Sequence, residues 1–94
     1  MSDAPRIAGG DVVEMSRLYQ LRWEEAQQAH VILYPEGMVR LNQSSAEILK
    51  RCDGVQTVGE LIADLESSFN ASGIANDVLE FLEVARGKGW IRVK

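Results

Sequence analysis

The side chains that could do chemistry are few and far apart in this chain. His30 is the single imidazole and Cys52 the single thiol in 94 residues. A nucleophile needs a base within hydrogen-bond reach and a third group to orient that base. His30 sits in the β-prone run AHVILY, and Cys52 lies on the apolar side of a helical pattern. Each reads as a packed residue. Ser44 and Ser45 precede an apolar helical run and read as capping residues, not nucleophiles. Zinc sites built from cysteine and histidine need more ligands than one of each. Glu24 with Glu25, Asp64 with Glu66 and Glu80 with Glu83 read as solvated-face charges, and no histidine joins them at metal-ligand spacing. Gly87-Lys88-Gly89 follows a helix instead of opening one, so it reads as a helix stop and not as a phosphate cradle. The expectation is a chain with no catalytic, metal-binding or cofactor-binding residues of its own.

What such a chain offers is surface. Its length suits one small domain, whose limited core gains from a partner. The hydrophobic share of 46% and charged share of 26% fit a globular, water-soluble protein. No apolar run approaches membrane-spanning length, and the N-terminus lacks a secretion signal, so a cytoplasmic location is expected. A lone cysteine forms no internal disulfide and fits a reducing compartment. The net charge of −4 disfavours a phosphate backbone as ligand.

The elements that would shape this surface are legible from residue 18 onward. Residues 1–17, interrupted by Pro5, Gly9 and Gly10, read as a flexible N-terminal arm or as one short strand around Val12 and Val13. Tyr19, Leu21 and Trp23 alternate with Gln20, Arg22 and Glu24, the period of a strand with one buried face. Val31, Ile32, Leu33 and Tyr34 are apolar on both faces, as in a middle strand. Pro35-Glu36-Gly37 marks a hairpin, with Gly37 suited to a positive φ or a bulge, and Met38 to Leu41 is the return strand. Asn42 or Ser44 can cap the first helix, Ser44 and Glu47 have capping-box spacing, and Ile48, Leu49 and Cys52 share its apolar face before Gly54 stops it. Thr57 and Glu60 form a second capping box, opening a helix with the stripe Leu61, Ile62, Leu65 and Phe69. A third helix runs from about 74 to 88 with Ile74, Val78, Phe81, Leu82 and Ala85 inward; Gly89 ends it, and an extended tail follows.

The expected fold class is therefore α+β: a three-stranded antiparallel sheet followed by three helices, winged helix-turn-helix-like, in one domain over residues 18–94. A DNA-binding winged helix is the alternative, but Asp77, Glu80 and Glu83 put acid in the middle of the third helix, where phosphate would be repelled. A strand at the sheet edge leaves N–H and C=O groups unpaired, and a peptide can add there as a further strand. Self-association through that edge, or exchange of the arm and first strands, gives a homodimer as a further option.

The segments LRWEEAQQAHVILYPEGMVRLNQSSAEILKRCDG, TVGELIADL and DVLEFLEVARGKGWI resemble the PqqD family of pyrroloquinoline quinone biosynthesis. The most specific pieces are Arg22-Trp23-Glu24, the YPEG turn, the helix ending in CDG and the closing KGW. The resemblance spans roughly residues 17–93. It implies a winged helix-turn-helix peptide chaperone without catalytic activity. Such a chaperone binds a ribosomally made precursor peptide and presents it to a radical S-adenosylmethionine enzyme, which cross-links a glutamate and a tyrosine. The iron–sulfur cluster and the methionine-derived cofactor would belong to that enzyme. By position, the peptide site would comprise Met38, Val39, Arg40 and Leu41 on the third expected strand. Its helix face would be Asp77, Val78, Phe81, Leu82 and Ala85. Arg40 is placed to meet a peptide carboxylate and Asp77 a peptide lysine.

Overall fold

The computed structural model describes residues 5–94. In chain order the elements are β1 (Val12–Met15), β2 (Gln20–Glu24), β3 (Ala29–Tyr34), β4 (Gly37–Arg40), α1 (Gln43–Lys50), β5 (Asp53–Thr57), α2 (Val58–Ser68), α3 (Ala75–Gly87) and β6 (Ile91–Val93). They build an α+β fold with two antiparallel three-stranded sheets, ordered β2-β3-β4 and β5-β1-β6.

The first sheet is the one expected. Val31 and Ile32 are fully buried, as a middle strand requires. The β3–β4 hairpin closes through Pro35 and Glu36, with Tyr34 opposite Gly37. Gly37 does not take a positive φ. Pro35 fixes a negative φ, and Gly37 instead begins β4, so neither the positive φ nor a bulge is needed there.

The second sheet was not foreseen in full. The expected arm over 1–17 gives way to the strand alternative: β1 is the middle strand between β5 and β6. Residues 1–4 of that expected arm lie outside the described residues. Residues 5–11 are anchored as well, although most are exposed. Ile7 is buried, the Gly9 carbonyl accepts from the Gly59 amide at 2.8 Å, and the Asp11 carbonyl accepts from the Val58 amide at 2.7 Å. These bonds satisfy amides at the α2 N-terminus, which have no partners within the helix. The domain thus extends at least to residue 5, not only to residue 18.

The Ile7 amide also donates to the Glu83 carboxylate, and Arg86 donates to the Pro5 carbonyl, fastening this segment to α3. The Ile7 amide and then Arg86 hold the Glu83 carboxyl below its ordinary value of 4.5. A depressed folded-state value makes this contact stabilising above the ordinary carboxylate range and lost as pH falls through the lowered value. The protection of the Ile7 amide against hydrogen exchange, taken relative to the intrinsic rate at each pH, is expected to be high at neutral pH and to fall as pH drops through the lowered Glu83 value before the core opens, and Glu83→Gln is expected to reduce it at neutral pH.

Helix ends follow their local chemistry. Asn42 caps α1, its Oδ1 accepting from the Ser45 amide at 2.8 Å. The Ser44–Glu47 box does not form, because α1 begins at Gln43 and Ser44 already lies inside it; Glu47 pairs instead with Lys50 and Arg51. Thr57 and Glu60 form the expected capping box of α2. At the end of α3, Gly89 takes φ +79. Its amide donates to Arg86 O and that of Trp90 to Ala85 O, the paired bonds of a Schellman stop. Gly54 is not the helix stop. The last turn of α1 closes at Arg51, and Gly54 lies inside β5 with φ +75. That φ is what calls for glycine, and a Cβ there would also displace the Glu14 side chain.

One apolar cluster joins the helices to both sheets, including Val13, Ile32, Leu49, Leu61, Leu82 and Ile91. Arg51 pins α1 to α2, reaching Glu47 at 2.9 Å and Asp64 at 2.7 Å.

Candidate functional site

β4 is an edge strand, and its outer side is open. The Leu41 amide donates to the His30 carbonyl at 2.9 Å, and Val39 stands opposite Ile32 in the same register. Hydrogen-bonded pairs alternate along an antiparallel ladder, so Val39 and Leu41 direct their backbone groups inward to β3. Met38 and Arg40 direct theirs outward. Among the described residues no other backbone bond engages those outward groups.

The chain leaves β4 and enters the first turn of α1, where a groove of about 500 Å³ begins. Gln43, Ser44 and Ile48 form its α1 side, Leu65 and Phe69 its α2 side, and Asp77, Val78 and Phe81 its α3 side. Val39 packs onto the same apolar cluster as Val78 and Phe81. Asp77 is exposed at the rim and faces a mostly apolar lining.

The expected site residues separate into three kinds. Met38 and Arg40 are exposed, Val39 is half-buried, and Asp77, Val78 and Phe81 line the groove. Leu41 is buried, just beyond the end of β4. Leu82 and Ala85 are completely buried, so they hold α3 onto the core and do not face the groove. Phe69, expected inside, is instead 48% exposed at the groove margin, with the Arg51 guanidinium 5.8 Å from its ring centre. It is the last apolar residue of the α2 stripe, at the helix C-cap, where the core no longer covers the stripe. Its position at a helix end was the available signal.

Cys52 is buried, donates weakly to the Ile48 carbonyl, and burial pushes its thiol up to about 12. His30 is half-buried with its ring edge-on to Trp23, centres 5.2 Å apart. Among the described residues no group of three or more histidine, cysteine, aspartate or glutamate side chains is arranged to hold a metal, and no helix is long and apolar enough to cross a membrane.

An open strand edge that leads into an apolar groove is the surface of a binding module. Residues 29–91 match the family model of Coenzyme PQQ synthesis protein D (PqqD). The chain is 51% identical over 81 residues to the "PqqA binding protein" of Methylococcus capsulatus, covering 86% of this chain and 87% of that one. It is 49% identical over 84 residues to the protein of the same name from Azotobacter vinelandii, covering 88% and 91%. The solution structure of the PqqD truncation of Methylobacterium extorquens PqqCD, described as a functional, stand-alone recognition element for ribosomally synthesised, post-translationally modified peptides, superposes with a TM-score of 0.75. That match has 30% identity and covers 92% of this chain and 94% of the other. The chain belongs to the PqqD family.

Proposed function

We propose that this protein is a non-catalytic adaptor of pyrroloquinoline quinone biosynthesis. It binds PqqA, the precursor peptide, by strand addition along β4 and presents it to the pathway's radical S-adenosylmethionine enzyme. The observation that carries the reading is the outward pair of backbone positions at Met38 and Arg40 on a strand that leads directly into the α1 side of the groove. Main-chain hydrogen bonds would supply affinity there, and the groove would select an apolar peptide side chain. Phe81 and Val78 form its wall, while Asp77 favours a basic neighbour at the rim. Arg40 is free to meet a peptide carboxylate. The names of the relatives support PqqA as ligand. Holding the peptide raises its effective concentration at the enzyme without new bond chemistry.

Calorimetry and mass spectrometry of the purified protein with PqqA test this. A complex that leaves the peptide mass unchanged until the radical enzyme is added is expected. Absence of binding, or modification of the peptide by this protein alone, would contradict it.

A further inference from the structure

The face of the β2-β3-β4 sheet turned away from the core carries a second surface. The register places Arg22, Val31 and Arg40 side by side across the three strands, with Gln20, Leu33 and Met38 beside them. Directly paired residues share a face, and Leu21, Ile32 and Val39 occupy the core side. Val31 is nevertheless 0% exposed and stands outside the main cluster. The arginine stems flanking it are the register neighbours able to cover it. Around this centre lie Met38, 44% exposed, and Leu18, 67% exposed, which borders a shallow cleft with Leu33 and Arg17.

The charge on this face opposes that of the whole molecule. Among the described residues Arg17, Arg22 and Arg40 form no ion pair. Glu24, in register on the same face, turns its carboxylate to the Ala26 amide. The chain as a whole carries −4. Three guanidiniums without an ion-pair partner, Arg22 donating only to the neutral Gln20 Oε1 at 2.9 Å, surround exposed apolar side chains and complement a protein surface with carboxylates around an apolar patch. Nucleic acid would find three cations on an otherwise acidic molecule, too few to offset the repulsion.

We infer that this basic–apolar sheet face is the docking surface for an acidic patch of the enzyme that acts on the held peptide. The inference rests on the adaptor reading above. A strand added to β4 continues this face sideways, so a partner seated on it meets protein and peptide together.

The test compares wild type with Leu18→Ser/Arg22→Glu and, as a second variant, Arg17→Glu/Arg22→Glu. PqqA affinity and affinity of the PqqA-loaded protein for the radical S-adenosylmethionine enzyme are measured separately. Peptide affinity within about twofold of wild type would report an intact fold and an untouched peptide site. Enzyme affinity is expected to fall at least about tenfold in both variants, and the wild-type complex to weaken as salt rises from about 0.05 to about 0.3 M. Unchanged enzyme affinity, or an equal loss of peptide affinity, would overturn the inference. So would a wild-type dimer that the substitutions dissolve, or wild-type adherence to anionic phosphatidylserine vesicles that they abolish. Failure of wild type to bind PqqA would instead strike the adaptor reading itself.

Discussion

Met38→Pro is expected to leave the fold intact and to lower PqqA affinity by at least about tenfold. The amide of residue 38 points away from β3, so its removal breaks no bond of the β3–β4 ladder. Proline is tolerated on edge strands for that reason. A guest strand would lose one main-chain hydrogen bond, about 0.5–1.5 kcal/mol, and would meet the pyrrolidine ring where it must approach. Val39→Pro is the opposite case. Its amide faces β3 opposite Ile32, and its side chain packs on the core. That substitution is expected to cost about 3 kcal/mol of stability. Met38→Ala keeps the amide and is expected to bind almost as wild type, because the exposed side chain is not the main contact. Calorimetric titration with thermal melts of the three variants separates backbone from side-chain recognition.

The second large effect divides neighbouring residues on α3. Leu82 is fully buried, and Leu82→Ala is expected to cost about 2–5 kcal/mol. A domain of this length holds roughly 5–14 kcal/mol in total, so the melting temperature should drop by at least about 10 °C. At a temperature where the variant remains folded, PqqA affinity should stay within a few-fold of wild type. Phe81 lines the groove and is only half-buried. Phe81→Ala is expected to cost less stability, about 1–3 kcal/mol, but roughly tenfold or more in PqqA affinity. The reverse ranking, with Leu82→Ala the stronger affinity variant in the folded state, would place the peptide elsewhere.

Elements with strong local chemistry were legible in the sequence. Thr57 and Glu60 announced α2, the Val31-to-Tyr34 run announced the middle strand, and Gly89 announced the end of α3. The second sheet was harder to read because its strands are short and carry mixed patterns. β5 reads DGVQT, with Gly54 at positive φ and the Asp53 carboxylate accepting from the Val55 and Gln56 amides. Nothing in that run alternates clearly, and Thr57 serves both as its last residue and as the cap of α2. β1 is recognised only by partners distant in sequence, β5 and β6. The candidate site was legible as an edge strand and a helix, but its depth was not. Apolar periodicity marks Phe81, Leu82 and Phe69 alike as inward, whereas packing buries Leu82, half-exposes Phe81 and leaves Phe69 at the rim.

The basic sheet face was hidden for a related reason. Arg22 and Arg40 are far apart in sequence and become neighbours of Val31 only through strand register. A β-prone run apolar on both sides suggested two covered faces. One is covered by the core, and the other has the arginines as its register neighbours.

Amide hydrogen exchange of the protein with and without PqqA, read residue by residue by NMR, addresses the open β4 edge most directly. Met38 and Arg40 are predicted to exchange fast in the free protein and to become protected when peptide is bound, while Val39 is slow in both states. Protection of Met38 and Arg40 without peptide, or peptide binding that leaves both unprotected, would contradict strand addition at β4.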